Sequence, residues 1–175
     1  MSTLIIGVDP GQKGAIVMLD DRAQVHFAWA ADASGAKNTV PGYFVGAFDA
    51  RGLAEELRLA VSGHVVARCI FETPLAFAKG GVSSALSTGI GWGQLRATFA
   101  LVPLPVEETT PAKWSTTMLG KPPPGGWKGA KKQEAIDLCR ARLPGLNLVL
   151  PGCRKPHDGL ADAAVMALYG LREVR

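Results

Sequence analysis

The sequence predicts an α/β domain in which helices flank a mixed five-stranded sheet. Three short apolar segments with tight turns open the chain, two more apolar segments of strand length follow, and segments with a helical spacing of apolar residues lie between and after them. With 175 residues, 47% of them apolar, the chain is long enough to bury one core. It contains no repeat or dividing linker, so we expect a single domain over residues 1–175.

The first three strands form an antiparallel meander. Residues 4–8 are apolar and end at Asp9-Pro10-Gly11, which is typical of a buried strand followed by a tight turn. Residues 14–19 and 24–30 are two further short strands. Residues 31–48 carry Ser, Gly, Asn and Pro, and predict an irregular connection.

The middle of the chain alternates helix and strand. Asp49 can cap a helix that runs to about Val61. Residues 64–71 predict a buried central strand, which ends at Glu72. Residues 83–101 predict a helix, although three glycines weaken it and could instead allow close approach of another backbone. One stripe of this helix is apolar: Leu86, Ile90, Ala97 and Leu101.

The last third is mainly helical. Residues 104–107 predict a short strand, and Pro111 begins a helix. A loop rich in proline and glycine covers residues 120–129, and a helix over 130–143 follows it. After a loop over 144–156, Asp158 begins the final helix, which runs to about residue 173.

Composition narrows the class of protein. The formal charge is +4, which permits a nucleic-acid partner without requiring one. The three cysteines are scattered, so neither a disulfide framework nor a cysteine metal site is expected. No apolar segment approaches the roughly 20 residues that span a bilayer, and the first residues lack the pattern of a secretory signal. We therefore expect a cytoplasmic protein that has no membrane partner.

Four carboxylates lie at positions that suit a metal-binding or catalytic role. Asp9 and Glu72 each end a strand, and Asp158 and Asp162 lie four residues apart on one helix face. Carboxylates that converge repel one another unless a hard cation such as Mg²⁺ or Mn²⁺ binds them. Two such ions can clamp a phosphoryl displacement. Three of these acids also have an ordinary interpretation, as a turn residue (Asp9), a helix cap (Asp158) or a solvated position (Asp162), whereas an acid at the end of an apolar strand, such as Glu72, is unusual.

Several segments carry a family resemblance. GVDPGQKGAIVML, IFETPLAFAKGGVSSALSTGIGWGQLRATF and HDGLADAAVMAL resemble, in order and spacing, the motifs of RuvC-like Holliday-junction resolvases, over nearly the whole chain. The resemblance implies an RNase H-like fold and a homodimeric, magnesium-dependent endodeoxyribonuclease that hydrolyses four-way DNA junctions with two metal ions per site. It implies a bacterial or phage-infected cell as the setting.

The resemblance also implies site residues. Asp9, Glu72 and Asp162 match metal ligands. The family's fourth ligand position falls here on Gly159, so we favour the neighbouring Asp158 over His157. Lys131 matches a lysine that can stabilise charge developing on the phosphate.

Contacts to DNA are expected from two loops. Residues 109–133 contain no acid and five lysines, of which Lys128, Lys131 and Lys132 are our candidates for phosphate contacts. By the resemblance, Phe77 can stack on an unpaired base beside Lys79, although core packing would also explain Phe77. Trp127 can stack on nucleic acid or anchor its loop. The helix over 83–101 is the candidate dimer interface, with an ordinary buried helix as the alternative.

Three other functions stay open. The same metal site would serve a nuclease for flaps, RNA–DNA hybrids or other branched DNA. A non-catalytic junction-binding protein could have this fold. The Asp9–Gly14 turn also resembles the phosphate-binding turn of actin-like nucleotide-using proteins, which are usually two-lobed and much longer.

Overall fold

The computed structural model describes residues 2–10, 14–31, 49–74, 82–124, 126 and 129–172. Five strands form one sheet in the order β3-β2-β1-β4-β5. The pairs β1–β2 and β2–β3 are antiparallel, whereas β1–β4 and β4–β5 are parallel, so the sheet is mixed as predicted. The strands are β1 (Thr3–Asp9), β2 (Ala15–Asp20), β3 (Val25–Ala30), β4 (Val65–Glu72) and β5 (Val106–Thr109).

Helices cover both faces of this sheet. They are α1 (Ala50–Val61), α2 (Val82–Ala100), α3 (Pro111–Leu119), α4 (Ala130–Arg142) and α5 (Asp158–Arg172). One core cluster joins α3, α4 and α5 to the sheet, and a second joins α1 and α2 to it. Alternate residues of β1 serve different faces: Ile6 and Val8 belong to the second cluster, whereas Gly7 faces α5. No helix among the described residues is long and apolar enough to cross a membrane.

Gly7 lets α5 lie directly on the sheet. A Cβ atom at Gly7 would collide with the Ala163 carbonyl and the Ala167 amide, both in the backbone of α5. Only a glycine accommodates so close an approach. Because Ala163 follows Asp162 in the chain, this contact also brings an acid of α5 close to β1.

One sequence expectation needs correction, and the structure decides against one alternative that the sequence left open. Strand β5 begins at Val106 and runs to Thr109, two residues later than predicted, because its pairing follows β4 as far as Glu72 opposite Thr109. The apolar stripe of α2 faces outward: Leu86, Ile90 and Leu101 are 62%, 42% and 49% exposed, whereas Leu95 and Phe99 are buried. An ordinary buried helix therefore does not describe that stripe within this chain.

Candidate active site

The two strand-end acids lie at one edge of the sheet. β1 and β4 are parallel neighbours, and Val8 stands opposite Phe71 in their register. Asp9 and Glu72 are the next residue of each strand. Parallel neighbours end at the same edge, so the register brings these two predicted site residues together.

Helix α5 brings Asp162 and Asp158 to the same region. Asp158 is the first residue of α5, and Asp162 lies one turn later. The preceding His157 accepts a hydrogen bond from the Leu160 amide at Nδ1 (3.1 Å), and its Nε2 is 3.2 Å from the Ala31 carbonyl. His157 thus fills the capping role, and both of its ring nitrogens have partners. This geometry favours Asp158 as the fourth candidate ligand.

The pKa values of the two buried carboxylates, Glu72 and Asp162, are raised. Burial is the main reason why the pKa of Glu72 is raised to about 7, and the charge of Asp162 adds to the effect. Burial likewise raises the pKa of Asp162 to about 6, with the charge of Asp158 adding to it. Raised pKa values at neighbouring acids are typical of functional sites, because burying two acids close together lowers the stability of the fold.

Two lysines from the first turn of α4 face these acids. The Lys132 ammonium is 2.5 Å from Oδ2 of Asp158. This hydrogen bond is the main cause of a raised pKa for Lys132, to which the charges of Asp162 and Asp9 contribute. The charge of Lys131 lowers the pKa values of both Glu72 and Asp162. Cations are unfavourable in the first turn of a helix, so their placement there costs stability that the acids offset.

The donor chemistry of this cluster fits a hard divalent cation, since all four predicted ligands offer carboxylate oxygens. As the side chains stand, no three acids, histidines or cysteines within the described ranges gather closely enough to hold a metal ion. Asp158 is instead paired with Lys132, and Glu72 with Trp114. Burial is the main cause of the raised pKa values of Glu72 and Asp162, and a divalent cation would offset the cost of burying their charges.

Trp114 is a site residue that the sequence analysis did not single out. Its side chain is fully buried, and Nε1 donates a hydrogen bond to Oε2 of Glu72 at 2.6 Å. The available signal was its position in a helix that begins directly after β5, the strand next to Glu72. A buried tryptophan N–H needs an acceptor, and Glu72, at the end of the neighbouring strand, is one that the sequence offers.

Part of the predicted DNA interface lies outside the described residues. Phe77, Lys79, Trp127 and Lys128 belong to that part, so their predicted roles stay predictions. Lys131 and Lys132 are described, and both lie beside the carboxylates.

The fold is similar to that of two solved structures. The Thermus thermophilus RuvC structure solved in complex with a Holliday-junction substrate is similar at a TM-score of 0.61 and 15% identity, covering 98% of this chain and 95% of that chain. A second structure of Thermus thermophilus RuvC is similar at a TM-score of 0.52, with the same identity and coverage. No protein-family model matches the chain, and no curated protein matches it by sequence. The likeness confirms the predicted α/β fold, in which helices flank a mixed five-stranded sheet.

Proposed function

We propose that this protein is a structure-selective DNA endonuclease that resolves four-way junctions. The observation that carries the proposal is the pair of buried acids, Glu72 and Asp162, at the edge where β1 and β4 end: burial raises the pKa of both, and the charge of Asp162 adds to the rise at Glu72. A similar fold, seen in a RuvC bound to a Holliday-junction substrate, supports the choice of branched DNA. The proposal also places Asp9 and Asp158 in the site.

The four carboxylates would bind Mg²⁺ or Mn²⁺. Two such ions supply the positive charge that activates the attacking water and stabilises the leaving oxygen of a phosphodiester. Asp9 and Glu72 are suited to hold their oxygens still because each ends a paired strand. Asp158 and Asp162 lie one turn apart on the same helix, which sets the distance between them. That helix packs directly on β1, which fixes both acids relative to the strand ends.

The two lysines of α4 would serve the DNA. The Lys132 side chain is 64% exposed although its ammonium pairs with Asp158, so it can exchange that acid for a phosphate oxygen. Lys131 would stabilise negative charge on the reacting phosphate, since its ammonium already lowers the pKa values of two of the acids.

The protein would act as a homodimer whose subunits meet through α2. A four-way junction has near two-fold symmetry and must be cut on two strands, which a two-fold dimer matches. The outward stripe of α2 carries exposed Leu86 and Ile90, and a Cβ atom at Gly89 or Gly93 would meet nothing within 4 Å. Small residues between exposed apolar ones leave space for a second backbone. Sedimentation should show a dimer that Ile90→Glu converts to a monomer; a wild-type monomer would contradict this interface.

A cleavage assay tests the function directly. A synthetic four-way junction and a linear duplex of matched sequence are incubated with the protein in Mg²⁺, in Mn²⁺ and in EDTA. We expect paired nicks near the crossover that require the metal. Equal cutting of the duplex would remove the junction specificity, and flap or RNA–DNA substrates in the same assay would identify another nuclease. Binding without cleavage in either metal would indicate a junction-binding protein, and ATP binding without DNA binding a nucleotide-using one.

A further inference from the structure

Trp114 contacts two of the proposed catalytic residues at once. Its indole Nε1 donates to Oε2 of Glu72 at 2.6 Å, and the ammonium of Lys131 lies over its ring at 4.2 Å from the centroid. The indole is 0% exposed, so both contacts are made in a dry environment where they are strong. One side chain thereby connects the end of β4 with the start of α4.

The local structure holds this indole in place. Thr109 stands opposite Glu72 in the parallel pairing of β5 with β4. Thr110 caps α3 by accepting a hydrogen bond from the Lys113 amide, and Pro111 begins the helix. Trp114 therefore lies in the first turns of a helix whose origin is fixed beside Glu72.

The two contacts keep an acid and a cation near each other without joining them. No ion pair within 4 Å joins Lys131 to a carboxylate in the part of the chain that the structure describes. Its ammonium rests on the π face of Trp114, while the ring edge holds one oxygen of Glu72. The Trp114 hydrogen bond engages Oε2 of Glu72 and does not use Oε1.

We propose that Trp114 is the positioning residue of the site: it orients the Glu72 carboxylate through its indole N–H and holds the Lys131 ammonium over its ring. This inference rests on the proposed function, because it assigns Glu72 to metal and Lys131 to the phosphate. Hydrogen-bond partners of metal-ligating side chains usually affect metal affinity or activity by 10–100-fold.

Trp114→Phe tests the hydrogen bond while keeping an aromatic ring under Lys131. Trp92→Phe is the matched control, since it also removes an indole N–H, one that has no hydrogen-bond partner among the described residues. We expect Trp114→Phe to lower the kcat of junction cleavage about tenfold to a hundredfold and to weaken Mn²⁺ binding in calorimetry. The junction Kd in EDTA should match that of Trp92→Phe. Cleavage and Mn²⁺ binding equal to those of the control would overturn the inference.

A second measurement needs neither cleavage nor a Trp114 variant. The chain has four tryptophans, so Phe substitutions of the other three assign the Trp114 indole ¹H–¹⁵N signal by elimination. We expect this signal to move in Glu72→Gln and on addition of Mg²⁺ to the wild type. A signal that stays in place in either case overturns the inference. If the wild type cuts no branched DNA, the proposed function fails, while these signals still decide whether Trp114 positions Glu72.

Discussion

The ionised carboxylate of Glu72 should destabilise the metal-free protein. Burial raises its pKa from an ordinary 4.5 to about 7, so the folded state binds a proton more tightly than the unfolded state does. The stabilising contribution of the protonated acid is complete below pH 4.5 and is lost as the pH rises through about 7. At about 1.4 kcal/mol per pH unit, the difference amounts to about 3 kcal/mol.

Glu72→Gln tests this number. The substitution removes the charge and keeps an oxygen that can accept the Trp114 hydrogen bond. Asp162, whose pKa burial also raises, titrates in both proteins. We therefore expect urea denaturation in EDTA to show that the wild type loses up to about 3 kcal/mol more than Glu72→Gln between pH 5 and pH 8. At pH 8 the variant should therefore be the more stable protein.

The experiment also needs a control variant and a measurement of stability with bound metal. Glu55→Gln, at an exposed position of α1, should keep the pH dependence of the wild type. Mg²⁺ or Mn²⁺ at pH 8 should stabilise the wild type but not Glu72→Gln, since ligand binding to the folded state adds to its stability. A wild type that is equally stable at pH 5 and pH 8, or a variant with the same loss, would refute the reasoning.

Three further substitutions test other parts of the structure. Asp9→Asn should reduce junction cleavage by more than about a hundredfold while leaving the junction Kd largely unchanged, because it removes a proposed ligand and no phosphate contact. Gly7→Ala should lower the free energy of unfolding by about 1–3 kcal/mol in urea denaturation, because the added methyl group collides with the backbone of α5. Lys132→Ala should weaken junction binding and reduce the slope of log K against log salt by about one, as expected for one lost phosphate contact.

Each of these has its own control. Asp21→Asn, at an exposed turn, should cleave like the wild type, and loss of binding together with cleavage in Asp9→Asn would assign Asp9 a structural role. Gly145→Ala adds a methyl group that meets nothing within 4 Å, so equal stability of the two alanine variants would contradict the close packing of α5. Arg51→Ala removes an exposed cation from α1, and an equal change in its salt slope would show that the effect of Lys132 is not local.

The two lysines of α4 illustrate which features of the site can be predicted from the sequence. Residues 109–133 hold lysines and no acids, a pattern that predicts phosphate contacts for Lys131 and Lys132, and the structure places both lysines beside the carboxylates. That Lys132 pairs with Asp158, and that Lys131 lies over an indole, did not follow from that pattern. The partners of a lysine ammonium depend on which groups lie within its reach, and the packing of the helices sets those distances.

The sequence by itself determined the order of the strands and helices and the acids that end β1 and β4. Those features depend on consecutive residues: apolar periodicity and the Asp9-Pro10-Gly11 turn. Only the tertiary structure decided that the apolar stripe of α2 faces outward, and that Trp114 holds Glu72. Trp114 and Glu72 are 42 residues apart, and Lys132 and Asp158 are 26 apart. Such pairs form where packed helices and strands place side chains together, and no local pattern in the chain encodes that placement.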